Sequence, residues 1–153
     1  MFSSAPSTFD SSVPETVAVS ETLSQIRPKE RVLLVDDSAT IRKMYSVYLT
    51  PKFDCHVAGS FDEALQTLLT QEFAVVVTDI IMPGMSGIEL LRKVIEVFPN
   101  IEVIVASGVD RPQRALDAIR LGAFDYLIKP CDPHVLQVTV ERAIKRRNVA
   151  IYE

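Results

Sequence analysis

The sequence contains few of the side chains on which disulfide frameworks and zinc sites depend. It has only two cysteines and two histidines in 153 residues. Cys55 and Cys131 lack CxxC spacing and form no partner cluster with His56 or His134, so the pattern supports neither a disulfide framework nor a zinc site. We interpret both cysteines as plain buried or half-buried thiols.

The sequence also lacks an excess of basic residues and a long apolar run. Its formal net charge is -4, which argues against a nucleic-acid surface of its own. The apolar runs fall far short of the roughly 18 residues that a membrane span needs, and the N-terminus lacks a basic region followed by an apolar one. We therefore expect a cytoplasmic protein with no direct contact to nucleic acid or membrane.

The domain organisation follows from a change in composition near residue 30. Residues 1–28 contain seven serines, three prolines and only scattered apolar residues, so we expect residues 1–29 to form a flexible leader. The rest is long enough for one domain with a sizeable core. We assign residues 30–148 to that domain and residues 149–153 to a tail or the start of a linker.

Short β-branched runs alternate with helical patterns throughout this domain. The runs are continuously apolar, which is typical of parallel strands covered on both faces. Five βα units without a hairpin turn, joined by right-handed crossovers, predict a doubly wound α/β sandwich. The predicted strands are residues 32–35, 55–59, 74–77, 103–106 and 126–128.

Apolar stripes at helical spacing predict the helices that cover the sheet. Ser60 with Glu63 and Ser86 with Glu89 form capping boxes, and Asp132 precedes a proline suited to the first turn of a last helix that ends at about residue 147. The stripes are Ile41, Met44, Tyr45 and Tyr48; Phe61, Ala64, Leu65 and Leu68; Ile88, Leu91, Ile95 and Phe98; and Ala115, Ala118, Ile119 and Gly122.

Polar residues stand where the predicted strands end, at the edge where ligands bind in such folds. These residues are Asp36, Asp37, Asp79, Ser107 and Lys129. Like-charged carboxylates about 4 Å apart repel by roughly 4 kcal/mol at an effective dielectric near 20, so a cation must sit among them. A hard divalent ion such as Mg²⁺ fits carboxylate ligands better than zinc does.

Three aspartates, Mg²⁺ and Lys129 together carry no net charge, and such a pocket suits a phosphoryl group. Asp79, at the end of the middle strand, is best placed as the nucleophile. Taken singly, each residue has an ordinary explanation: an aspartate as a helix cap, Ser107 as a loop hydroxyl and Lys129 as a solvated lysine. Their joint placement at the ends of different strands favours a functional site.

The motifs "VLLVDDS", "TDIIMPGMSG", "IVASG" and "GAFDYLIKP" resemble, in order and spacing, the receiver domain of two-component response regulators. The resemblance covers residues 31–147. It implies a flavodoxin-like, five-stranded parallel sheet of order 2-1-3-4-5 with five helices. It also implies a phosphorylation-activated signalling switch that assists its own phosphorylation and dephosphorylation and is not otherwise an enzyme.

The resemblance also assigns roles to individual residues. Asp79 would accept a phosphoryl group from the phosphohistidine of a sensor histidine kinase or phosphotransfer protein. Ser107 and Lys129 would each bind a phosphoryl oxygen, Tyr126 would change rotamer as the domain switches, and the Lys129-Pro130 peptide would be cis. The Mg²⁺ ligands would be Asp36, Asp37, Asp79 and the backbone carbonyl of Ile81.

Three alternative functions fit the sequence less well. A pseudo-receiver without the chemistry is disfavoured by the complete set of polar residues. A Mg²⁺-dependent phosphatase with an aspartyl nucleophile would need a second acidic residue at position 81, which is isoleucine. A dinucleotide-binding domain would need a glycine-rich loop after the first strand, where Asp36, Asp37 and Ser38 stand instead.

Two departures from the family pattern do not touch the chemistry. Cys131 stands where phenylalanine is common, which alters packing near Lys129, and Phe61 replaces a common glycine.

The resemblance implies an output face formed by the fourth helix, fifth strand and last helix, with Tyr126 between Arg120 and the basic residues 145–147. These basic residues are either a solvated helix end favoured by the helix dipole or a surface for a homodimer or an effector. The effector could be another protein or an appended domain.

The resemblance also implies that two apolar side chains flank the path of a hydrolytic water. They are Ile81, two residues after Asp79, and Val109, two residues after Ser107. Neither can hydrogen-bond a water molecule, so we expect a long-lived phosphoryl group. The alternative is that both merely pack loop against loop.

Overall fold

The structure is a computed structural model that describes residues 28–82, 87–108 and 112–152. Most of the expected leader, the turn at Pro83 and Gly84, the capping residue Ser86, and Val109 lie outside the described residues.

The centre of the fold is a five-stranded sheet in the order β2-β1-β3-β4-β5, with every neighbouring pair parallel. This confirms the predicted fold class, and each strand boundary lies within one residue of its prediction. The strands are β1 (Arg31–Val35), β2 (Asp54–Ala58), β3 (Val75–Thr78), β4 (Glu102–Ser107) and β5 (Asp125–Ile128).

Five helices connect and cover the strands. They are α1 (Ala39–Leu49), α2 (Phe61–Thr70), α3 (Gly87–Val97), α4 (Pro112–Leu121) and α5 (Pro133–Tyr152). The predicted end of the last helix near residue 147 is wrong, because α5 continues to Tyr152 and so includes residues 149–152 of the predicted tail or linker.

The predicted caps of α2 and α5 are confirmed. The Ser60 hydroxyl accepts a hydrogen bond from the Glu63 backbone N–H, and the Glu63 carboxylate accepts one from the Gly59 N–H, both at 3.1 Å. The Asp132 carboxylate accepts a bond of 2.8 Å from the His134 N–H. These side chains satisfy amide donors that have no partner within the first helical turn.

Alternate strand residues point to opposite sides of the sheet and build two apolar layers. In β1, Leu33 and Val35 contact the layer covered by α2, α3 and α4, whereas Val32 and Leu34 contact the layer covered by α1 and α5. The sheet is therefore buried on both faces, as the continuous apolar runs indicated.

Some of the predicted helix stripes were wrong in detail. In α1 the residues buried against the sheet are Tyr45 and Leu49, whereas Met44 and Tyr48 are 44% and 39% exposed. Met44 and Tyr48 each precede a buried residue by one position, so they lie about 100° around the helix from it. In α4, Ile119 is likewise exposed and Ala118 is buried.

The predicted buried faces of α2 and α3 agree more closely with the structure. In α2 the structure buries Phe61, Ala64 and Leu68, as predicted. In α3 it buries Leu91 as predicted, together with Leu90 and Val94, which the stripe had left out.

Two glycines near the carboxyl edge of the sheet, Gly87 and Gly108, differ in the space available for a side chain. At Gly87, the first residue of α3, an added Cβ would lie 2.5 Å from the Asp79 carbonyl oxygen and 2.5 Å from Ile80 Cα. The Gly87 N–H also donates to the Ile80 carbonyl at 2.8 Å. At Gly108, an added Cβ would have no atom within 4 Å.

We predict that Gly87→Ala destabilises the fold by about 1–3 kcal/mol, because the new methyl group overlaps backbone atoms that cannot move away as a side chain could. Alanine's better helix propensity, worth about 1 kcal/mol, offsets only part of this cost. The matched control Gly108→Ala should change stability by less than about 0.5 kcal/mol. Urea unfolding of both variants measures the difference, and equal stabilities would contradict the prediction.

Candidate functional site

Backbone hydrogen bonds fix the residues that follow three of the strands. In each case the first residue after the strand donates its N–H to the carbonyl of a residue at the end of the neighbouring strand, which extends the parallel ladder beyond the strand itself. The bonds run from Asp36 to Ala58 at 3.1 Å, from Asp79 to Val35 at 3.1 Å, and from Lys129 to Ser107 at 2.8 Å.

The ammonium of Lys129 joins the two buried carboxylates of the site. Its Nζ atom lies 2.5 Å from Asp36 Oδ2 and 2.8 Å from Asp79 Oδ2. All three side chains are largely buried, with 13%, 9% and 11% of the surface of Lys129, Asp36 and Asp79 exposed. The structure thus brings together three of the residues predicted from the strand ends.

The charge state of Lys129 follows from these contacts. Burial alone would lower the pKa of its ammonium, but the hydrogen bonds and negative charges of Asp36 and Asp79 outweigh that effect and raise the pKa above its usual value. Lys129 is therefore cationic at neutral pH and neutralises part of the charge of the two carboxylates.

The other oxygen of each carboxylate accepts a backbone hydrogen bond. Asp36 Oδ1 accepts from the Ser38 N–H at 2.9 Å, and Asp79 Oδ1 accepts from the Ile81 N–H at 3.0 Å. Both carboxylates are thus oriented from two sides, by the lysine and by the loop that follows their own strand.

Asp37 and Ser107 lie at the same edge of the sheet, whereas Tyr126 lies two residues before the end of β5. Asp37 is exposed beside Asp36, Ser107 is fully buried at the end of β4, and Tyr126 is half-buried on β5. The Lys129-Pro130 peptide is cis, as the resemblance implies. Within residues 28–82, 87–108 and 112–152, no three acidic, histidine or cysteine side chains cluster as a ready metal site.

The sequence reasoning missed several residues that support the site. The guanidinium of Arg42 in α1 donates to the Asp36 carbonyl at 2.8 Å. The hydroxyl of Tyr45 lies 3.1 Å from the Cys131 sulfur. The only sequence signal for any of these was the unusual cysteine at position 131, because Arg42 and Tyr45 fit an ordinary amphipathic helix.

The basic residues 145–147 do not lie at a helix end, since α5 continues beyond them. The Arg146 guanidinium pairs with both oxygens of Glu102 and stacks 4.6 Å from the centre of the Phe124 ring. Arg147 donates to the Asn100 carbonyl at 2.8 Å. Two of the three side chains therefore attach α5 to the edge of the sheet opposite the site.

None of the helices in the described part of the chain is long and apolar enough to cross a membrane.

Comparison with known proteins identifies the family. The family model described as "Response regulator receiver domain" matches residues 32–141. The regulatory protein LuxO of Vibrio cholerae is 32% identical over 114 residues, which are 74% of this chain and 25% of LuxO. The chain thus spans about a quarter of the length of this relative.

Two further matches cover nearly the whole of the other protein. The chemotaxis protein CheY of Thermotoga maritima is 35% identical over 107 residues, 68% of this chain and 88% of CheY. The crystal structure of a response regulator receiver domain protein from Clostridium thermocellum has a TM-score of 0.74 and 31% identity, covering 79% of this chain and 98% of that one.

The parallel sheet, the polar residues at its carboxyl edge and these matches all agree. This chain belongs to the response regulator receiver domain family, whose members are phospho-signalling switches of two-component systems.

Proposed function

We propose that this chain is a phosphorylation-activated switch in which Asp79 accepts a phosphoryl group from the phosphohistidine of a sensor histidine kinase or phosphotransfer protein. The observation that carries the proposal is the shared contact of Asp79 and Asp36 with the Lys129 ammonium, beside the buried end of β4 at Ser107. An aspartate that served only as a helix cap would need neither this partner nor this burial.

The transfer uses groups that are already in place. A carboxylate oxygen of Asp79 forms a bond to phosphorus while the bond from phosphorus to the histidine nitrogen breaks, and its electron pair stays on the nitrogen. Lys129 Nζ, 2.8 Å from Asp79 Oδ2, binds one phosphoryl oxygen, and the Ser107 hydroxyl binds another. Asp79 then carries roughly two negative charges in place of one.

The donor set also fits a hard divalent cation. Asp36 and Asp79 exceed the charge of Lys129 by one, and the exposed Asp37 adds another negative charge. A carboxylate oxygen that accepts one hydrogen bond keeps a second lone pair for a ligand. Asp36, Asp37, Asp79 and the Ile81 carbonyl would hold Mg²⁺, which when bound supplies positive charge to the transferring oxygens.

Receiver domains generally bind Mg²⁺, in agreement with this donor set. The family is regulatory, and we propose that the chain assists its own phosphorylation and dephosphorylation without being an enzyme for other substrates.

The output would be a change of surface on one side of the domain. Tyr126, which is half-buried against the layer under α2, α3 and α4, would be the side chain that changes rotamer. The charge added at Asp79 would bias this two-state element.

An effector, either a separate protein or an appended domain, would bind the face formed by α4, β5 and α5, and a phosphorylation-dependent homodimer could use the same face. Its exposed apolar side chains Leu116, Ile119 and Ile128 support this assignment better than Arg146 and Arg147, which have partners within the domain. We also propose that the protein is cytoplasmic.

Small acyl-phosphate donors with Mg²⁺ should add one phosphoryl group to the wild-type chain and none to Asp79→Ala, as measured by intact mass. Asp62→Ala, which removes an exposed carboxylate from the first turn of α2, is the matched control and should be labelled like wild type. Labelling of Asp79→Ala, or of wild type without Mg²⁺, would refute the assignment. Lys129→Ala should still bind Mg²⁺ but fail to couple phosphorylation to the switch.

The phosphoryl group on Asp79 should be long-lived among receiver domains, because Ile81 shields the approach of water without orienting it. Ile81 is 52% exposed, which supports a place at the surface of the site rather than in the packing between loops. Ile81→Asn and Val109→Glu, singly and together, should speed loss of phosphate about tenfold or more, which corresponds to roughly 1.4 kcal/mol of barrier. The loss is followed in the isolated protein with excess Mg²⁺, and an unchanged or slower rate in the double variant would rule the idea out.

A further inference from the structure

A hydrogen bond between Tyr45 and Cys131 links two parts of the fold that are 86 residues apart in the chain. The Tyr45 hydroxyl and the Cys131 sulfur are separated by 3.1 Å, and either group can donate. Tyr45 is almost fully buried on the sheet side of α1, and Cys131 is half-buried in the connection between β5 and α5. The bond therefore ties α1 to this connection.

The same connection carries Lys129. Lys129 and Cys131 are separated by Pro130 alone, and the two ends of this short segment are held differently. At one end the Lys129 N–H donates to the Ser107 carbonyl, and at the other end the Asp132 side chain caps α5. Cys131 lies between these two anchors, and its sulfur hydrogen-bonds the Tyr45 hydroxyl.

The environment of Tyr45 keeps its phenol protonated. Burial raises the pKa of the Tyr45 phenol well above its usual value, and the bond to Cys131 and the negative charges of Asp36 and Asp79 act in the same direction. The hydroxyl therefore stays protonated and remains available as a donor. A buried hydroxyl that lost its partner would be left unsatisfied, which favours keeping the bond formed.

We propose that Tyr45 and Cys131 are a positioning pair that holds the segment 129–131 against α1 and thereby fixes the Lys129 ammonium between Asp36 and Asp79. This inference rests on the proposed function, because the position of Lys129 matters there for binding a phosphoryl oxygen. Neither Tyr45 nor Cys131 touches the reacting atoms.

If the proposal is correct, loss of the bond between Tyr45 and Cys131 slows phosphoryl uptake and strengthens Mg²⁺ binding. A less firmly held ammonium binds the incoming phosphoryl oxygen less well, so phosphoryl uptake slows. The same ammonium competes less with a cation for the oxygens of Asp36 and Asp79, so Mg²⁺ binds more tightly. General damage to the fold would instead weaken both Mg²⁺ binding and phosphoryl uptake.

The experiment compares Tyr45→Phe, Cys131→Ala and the double variant with wild type. Uptake from a small acyl phosphate should slow about threefold or more, and calorimetric titration with Mg²⁺ alone should show about twofold or more tighter binding. The double variant should resemble each single variant, because both remove the same bond. If Tyr45→Phe does not fold, Cys131→Ala provides the same test.

Two further variants serve as controls. Tyr48→Phe makes the same change on the exposed side of α1 and should match wild type in both measurements. Cys131→Ser keeps a group that can hydrogen-bond Tyr45 and should restore both values to near those of wild type. Asp79→Ala is measured in parallel. If it also takes up phosphate, the proposed function is wrong, and this outcome is distinct from failure of the positioning role.

The proposal is overturned if Tyr45→Phe and Cys131→Ala both take up phosphate at the wild-type rate. It is also overturned if Mg²⁺ binding is unchanged or weaker in these variants, since slower uptake would then reflect general damage. Additive effects in the double variant, or equal effects from Tyr48→Phe, would likewise contradict it.

Discussion

The contact of one ammonium with two buried carboxylates is the interaction on which the rest of the site depends. Asp36 and Asp79 would repel each other strongly in this environment, and Lys129 offsets that repulsion at 2.5 and 2.8 Å. Breaking a buried ion pair by removing one partner typically costs about 3–5 kcal/mol, because the other charge is left uncompensated. The carboxyl edge of the sheet is thus a balanced set of charges, and a change in one of them affects the others.

The sheet holds these charged residues in fixed positions relative to one another. The backbone N–H groups of Asp36, Asp79 and Lys129 continue the parallel ladder past the strand ends, so these residues share the rigidity of the sheet. Asp37 and Ile81 stand next to them and remain exposed. Buried residues that are held in place and exposed neighbours that a partner can reach therefore occur side by side at one edge.

The sequence predicted the sheet well because continuous β-branched runs and helix caps are local signals. It predicted the sheet-facing side of α1 less well, because Met44 with Tyr48 and Tyr45 with Leu49 have the same spacing, and only the packing selects the second pair. The convergence of Asp36, Asp79 and Lys129 followed from strand order. The bonds of Arg42 and Tyr45 did not, since they depend on which side chains of distant segments meet in the fold.

The path of the Lys129 side chain links the margin of the sheet to its middle. Lys129 follows β5, an edge strand, whereas Asp36 follows β1, which lies three places away in the sheet. With about 4.8 Å between neighbouring strands, these strands are roughly 14 Å apart. The Lys129 side chain thus crosses the ends of the intervening strands to reach Asp36. A mutation that shifts only the outer margin therefore alters the electrostatic potential at the central strands, although it touches no residue there.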